Sequence, residues 1–163
     1  MKRYAVMLLS LFIASCNGGC HFSKGYKKDV RTGLTSRYNG LSVSEVYLAN
    51  GEVQLYSNKV PMESKVLVVA KGLSNFTLRE GKVFPGCRMV VTDKAGNKVL
   101  NIPDLFEAYT DKGVAPEDAR TVSTSLTVGR PMTQGNTYHL AVDIFDKLDK
   151  SQHLEADVDL VIE

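Results

Sequence analysis

The chain has 163 residues, 44% hydrophobic and 23% charged, with 20 Lys and Arg against 18 Asp and Glu and no Trp. This apolar content excludes a disordered polar chain, and a length of this order suits one domain around one core. A total charge so near neutrality excludes the basic footprint of a nucleic-acid-binding protein.

At the N-terminus, Lys2 and Arg3 precede an apolar run from Tyr4 to Ala14 broken only by Ser10. A charged start, a short apolar core and small residues at its end form a secretory signal, too short to stay in a bilayer as a spanning helix. The order Ile13-Ala14-Ser15-Cys16 resembles the lipobox of bacterial lipoproteins. The resemblance implies removal of residues 1–15 and acylation of Cys16, with more than one acyl chain making a stable anchor. Asn17 in place of Asp implies the outer membrane rather than the inner one.

Residues 16–40 carry Lys24, Lys27, Lys28, Arg31 and Arg37 against Asp29 alone, with glycines throughout. No apolar period appears, so the segment reads as a flexible basic tether. Its charge suits either a solvated spacer or contact with anionic lipid head groups. The domain is then 41–163.

Within it the hydrophobic period is two. Leu41 to Leu48 and Val53 to Tyr56 flank Asn50-Gly51, a pair suited to a tight hairpin turn. Val66-Leu67-Val68-Val69 is a continuous apolar run, as in a central strand. Arg88 to Asp93 and Asn97 to Ile102 enclose the turn Lys94-Ala95-Gly96. Alternation stops between Ile102 and Arg120, where Leu105, Phe106 and Tyr109 offer an apolar side to a short helix and Pro116 opens a second turn. A connection of this length is often functional, so these three are the candidate binding residues; Phe106 also suits the role of a cap on the core.

Alternation resumes in Val122, Thr124, Leu126 and Val128, continues in Tyr138, Leu140, Val142 and Ile144, and ends in Leu154, Ala156, Val158, Leu160 and Ile162. Each of these is a strand with one buried face, and the last two form a hairpin. Leu126, Pro131, Gly135 and Tyr138 run as strand, turn and strand-initial tyrosine, which resembles the tyrosine corner of immunoglobulin-like and fibronectin type III sandwiches. The resemblance implies an all-β, antiparallel immunoglobulin-like sandwich of seven to eight strands with one long, partly helical crossover, in which the Tyr138 hydroxyl bonds upstream backbone. A lipocalin-type closed barrel is the competing architecture.

Chemical motifs are few. With Cys16 acylated, Cys20 and Cys87 remain, either paired across the tether or with Cys87 packed as a small apolar residue. His21, His139 and His153 lack zinc-site spacing. His139 and Asp143 share one strand face, but with Ser123 or Ser125 they build no recognisable nucleophile motif. Asp143, Asp146 and Asp149 cluster at the last hairpin, an oxygen-rich set that suits calcium, although Lys147 and Lys150 offset its charge. No cofactor motif is present. The expectation is a non-enzymatic envelope lipoprotein, bound to the membrane by its lipid, that serves as a binding or accessory module for an envelope protein. Glycan or small-ligand binding is the alternative, with Tyr47, Tyr56, Tyr109 and Phe145 as candidate platform residues, and an envelope hydrolase comes third.

Overall fold

The structure, a computed structural model, describes residues 23–163. The signal segment, Cys16, Cys20 and His21 lie outside the described residues. In chain order the strands are β1 (Lys24–Lys28), β2 (Thr35–Asn39), β3 (Glu45–Asn50), β4 (Val53–Gln54), β5 (Lys59–Val60) and β6 (Lys65–Lys71). They continue as β7 (Pro85–Thr92), β8 (Lys98–Ile102), β9 (Thr121–Thr127), β10 (Thr137–Asp146) and β11 (His153–Ile162). The large sheet runs β1-β2-β11-β10-β7-β8, with β5 pairing in parallel beside the end of β11; the small sheet runs β4-β3-β6-β9. All other pairings are antiparallel. Among the described residues no helix is long and apolar enough to cross a membrane.

The core lies between the sheets and is built by the alternation itself. Leu140, Val142 and Ile144 of β10 and Leu154, Val158 and Leu160 of β11 are buried against Val66, Val68, Val122 and Leu126 from the small sheet. Each buried aliphatic side chain of this size contributes about 1.5–3 kcal/mol, so a one-residue slip of either long strand would turn its whole apolar set to water. Asn50-Gly51 does open the β3–β4 turn, with Gly51 at φ 59°. The Tyr138 hydroxyl accepts a hydrogen bond from the Thr133 N–H at 3.0 Å, the upstream backbone contact expected of a tyrosine corner. Two sheets with separate edges rule out the closed barrel.

Two expectations need correction. From Lys24 onward the basic segment is no tether: β1 and β2 form a hairpin, and β2 pairs with β11 over His153–Asp157. This hairpin escapes pattern reading because few of its side chains reach the core. Ser36 is buried, Tyr38 is half-buried, and the exposed Lys27 donates to the Val43 and Ser44 carbonyls. A Cβ at Gly25 would meet the Tyr38 ring across the pair, so a larger residue there would displace that ring. Among the described residues the strand count rises to eleven because β1, β2 and the two-residue β5 were unforeseen.

The second correction concerns the crossover between β8 and β9. It contains only two three-residue 3-10 turns, Glu107–Tyr109 and Asp118–Arg120. Specific side-chain bonds, rather than helical ones, hold it. The Asp104 carboxylate accepts from the Cys87 and Phe106 N–H groups at 3.0 and 2.8 Å, and the Lys147 ammonium pairs with it at 2.7 Å. Lys147 also donates to the Phe106 carbonyl and the Thr110 hydroxyl. Burial raises the Asp104 pKa, but the Lys147 bond and the two N–H groups outweigh it and leave the carboxyl below its usual value.

Candidate functional site

A β-sandwich has four terminal strands, and each exposes unpaired backbone groups unless something blunts it. Three of the four are blunted here. β4 is two residues long. β8 begins with Lys98 and meets β7 through a register shift at Val91/Thr92. β1 carries three exposed lysines, Lys24, Lys27 and Lys28, of which Lys27 donates to the Val43 and Ser44 carbonyls. The fourth, β9, reads Thr-Val-Ser-Thr-Ser-Leu-Thr, with no charge, proline or glycine over seven residues. Val122, Thr124 and Leu126 face the core, while Thr121, Ser123, Ser125 and Thr127 are exposed. Its pairing partner is β6, and among the described residues no other backbone hydrogen bond engages Thr121–Thr127.

Beside the start of β9 lies a cleft of about 370 Å³, lined by Pro85, Phe106, Tyr109, Val114, Ala119 and Val122 among others. Phe106 packs on the core, and Tyr109 meets its ring edge-on at a centroid distance of 6.1 Å. The predicted binding residues thus separate. Phe106 and Tyr109 line the cleft, whereas Leu105 is 37% exposed and is not among its lining residues. Asp118, Thr121 and Ser123 also line the cleft, so it is of mixed polarity. A free strand edge beside such a cleft can pair with an extended segment and seat one of its side chains.

The three hairpin carboxylates do not assemble a calcium site, because each has other partners. Asp143 pairs with Arg88 at 3.2 Å on the outer face of the large sheet. Asp146 is fully buried and accepts from the Thr77 and Leu148 N–H groups at 2.6 and 2.8 Å, tying β10 to the neighbouring loop. Asp149 accepts from the Ser151 hydroxyl and N–H, bonds that lower its pKa. Among the described residues no group of three or more His, Cys, Asp and Glu is placed to hold a metal ion.

His139 reaches Asp159 at 2.8 Å rather than Asp143, on the outer face of the large sheet. Ser123 and Ser125 lie on the outer face of the opposite sheet, so the imagined triad is divided by the whole core. Cys87 is fully buried in that core, where desolvation first, and then Asp104 and Asp143, push its thiol pKa up to about 12. Such a thiol is an inert packing group.

A second concave region crosses the outer face of the large sheet. Tyr26, Arg37, Glu155, Asp143 and Arg88 are successive cross-strand neighbours in one row. A shallow cleft of about 600 Å³ at one end involves Lys24, Tyr26, Arg37, Asn39, His153 and Glu155. Burial raises the Asp143 pKa, Arg88 and His153 oppose that, and Glu155 directly opposite raises it again. The aromatic residues proposed as a sugar platform do not come together: Tyr47 lies on the small sheet, Phe145 on the large one, Tyr56 under the Arg31 guanidinium and Tyr109 in the crossover.

The sequence matches no family model and no curated protein. In three dimensions the chain is similar to the crystal structure of the C-terminal domain of wzt. The identity is 8%, the coverage is 88% of this chain and 79% of that one, and the TM-score is 0.50. The chain is an all-β sandwich. At this identity the likeness is one of fold alone. The soluble domain of PmoD from Methylocystis sp. ATCC 49242 (Rockwell) aligns over 73% of this chain and 90% of that one, at 8% identity and a TM-score of 0.37, too loosely to carry an argument.

What sequence reasoning missed is the edge. Ser123 and Ser125 drew attention only as nucleophiles, although seven consecutive strand residues without charge or proline were a readable signal.

Proposed function

We propose that this chain is a lipid-anchored protein of the bacterial envelope, held in the outer membrane by an acylated Cys16. Its non-enzymatic, immunoglobulin-like sandwich binds an extended segment of an envelope protein. The observation that carries this reading is the contrast among the four terminal strands: three are blunted, and β9 alone presents an uncharged outer edge with no strand beside it among the described residues. Strand addition draws affinity from backbone hydrogen bonds and specificity from side-chain pockets, and the Phe106 and Tyr109 cleft supplies such a pocket beside the strand. The Tyr138–Thr133 contact supports the immunoglobulin-like assignment, and the Ile13-Ala14-Ser15-Cys16 order supports the anchor. A second reading, glycan or small-ligand binding, draws on the outer-face cleft around Tyr26, Arg37 and Glu155.

The test is affinity capture from detergent-solubilised envelopes with the acylated chain, beside a Ser123→Lys/Ser125→Lys variant. Both positions are exposed, so the lysines leave the core intact while charging the edge. The expected result is one stoichiometric envelope protein with the natural edge and at least a tenfold lower recovery with the lysines. Equal recovery from both, or no protein from either, contradicts the reading. Retention of Cys16→Ala in membranes after a carbonate wash would contradict the anchor.

A further inference from the structure

We infer that the rim formed by β1 and the β1–β2 turn is a membrane-apposed surface that rests on anionic lipid head groups, with the large sheet standing edge-on to the bilayer. Its place in the cell rests on the lipid-anchor reading above; its affinity for such a surface does not. Six residues separate Cys16 from Ser23, where the described chain begins, so the two are seven residue steps apart. At ~3.5 Å per residue they reach about 25 Å at most, so an acylated Cys16 would keep β1 nearer the bilayer than most of the domain.

The chemistry of the rim suits that position. Lys24 and Lys28 are exposed along β1, and Arg31 lies over the Tyr56 ring at 5.1 Å. Tyr26, Val30 and Tyr56 are exposed by 57%, 88% and 59%. Edge protection alone accounts for the lysines but not for an almost fully exposed valine at a turn tip beside them. Basic side chains interleaved with aromatic and aliphatic ones form an interfacial surface, the charges held at the head groups and the apolar groups just beneath.

The remaining charges fix the orientation. Asp29 faces its own turn, accepting from the Arg31 N–H and the Thr32 hydroxyl at 2.9 and 2.7 Å. Lys27 is exposed but its ammonium is held by the Val43 and Ser44 carbonyls, and Arg37 is paired with Asp157 at 3.1 Å. Glu155, Asp157 and Asp159 run along the outer face of β11, so a sheet lying flat would bring a row of carboxylates onto an anionic surface. Standing on the β1 edge avoids that repulsion.

The chain has no Trp, so a single introduced Trp is an unambiguous reporter. Val30→Trp places it at the rim, and Asn101→Trp places it at an exposed position on β8, the opposite edge of the same sheet. Each acylated variant is reconstituted into vesicles of equal phosphatidylglycerol and phosphatidylcholine, or of phosphatidylcholine alone, containing brominated lipid. A parallel set omits the acyl chains and holds the mature chain to the same vesicles by an N-terminal histidine tag and a nickel-chelating lipid. The expected result in both sets is a blue shift and quenching of the residue-30 Trp on anionic vesicles, with the residue-101 Trp unaffected. Lys24→Gln, Lys28→Gln and Arg31→Gln should each weaken the docked state about fivefold, and added salt should do the same. Equal quenching of both reporters, or none on anionic vesicles in the tagged set, overturns the inference. Failure of acylation itself would appear only in the first set.

Discussion

The two outer strands β1 and β9 solve the same problem in opposite ways. Both end a sheet and both leave a row of backbone groups without a strand partner among the described residues. Three of the five residues of β1 are exposed lysines, one of which donates to two backbone carbonyls. β9 spends none of its seven on charge. The difference teaches that this fold has the means to protect an edge and uses it selectively, which is the physical ground for treating β9 as a surface meant to be covered.

The contrast is broken most severely by loosening the wall beside β9. Lys147→Ala removes three bonds to the crossover and leaves the Asp104 carboxylate without its cation. We expect a loss of about 2 kcal/mol, read by denaturant unfolding. Faster amide exchange should be confined to residues 104–110 while β1 and β2 are unchanged. If exchange rises equally in 24–39, the two edges are not independent.

Acid sharpens the same point. Despite its burial, the Lys147 ammonium and two N–H groups hold the Asp104 carboxyl below the usual carboxylate range, so folding favours its charged form. Its contribution is fully present above the unfolded value and is lost as pH falls through the lower folded one. Unfolding followed from pH 6 to pH 2 should therefore lose less stability in Lys147→Ala than in the natural chain, and an identical loss would contradict the assignment.

The smallest effect concerns the outer face near β1. Asp143 faces Glu155 across the β10–β11 pair, and its pKa is raised, chiefly by burial, so its charged form is disfavoured in the folded chain. Stability from this position is greatest at low pH and falls as pH rises through the folded pKa. Asp143→Asn should gain about 0.5 kcal/mol at pH 7, after losing part of the Arg88 contact, and less at pH 4. A gain that does not shrink on acidification would contradict the cost assigned to burying the Asp143 charge.

The legibility of the chain follows from how far each feature depends on local pattern. β9, β10 and β11 were readable because five or more residues alternate and every inward one except Thr124 and Asp146 is apolar. β1 and β2 were not, because their contribution to the core is little more than Ser36 and Tyr38 while the lysines dominate the composition. Asp146 illustrates a different limit. Its neighbours Asp143 and Asp149 suggested a metal, yet its oxygens serve Thr77, far away in sequence, and Leu148. Phe106 and Tyr109 could be picked out as residues needing cover, but that they stand beside a free edge is a matter of strand order, to which alternation is blind.

The most direct test of the account is amide hydrogen exchange on the acylated chain, purified in detergent and in native envelope vesicles. The account predicts that Thr121–Thr127 exchanges markedly more slowly in the envelope, by tenfold or more, while Lys98–Ile102 on the blunted β8 edge keeps its rate. Unchanged exchange along β9 would contradict it.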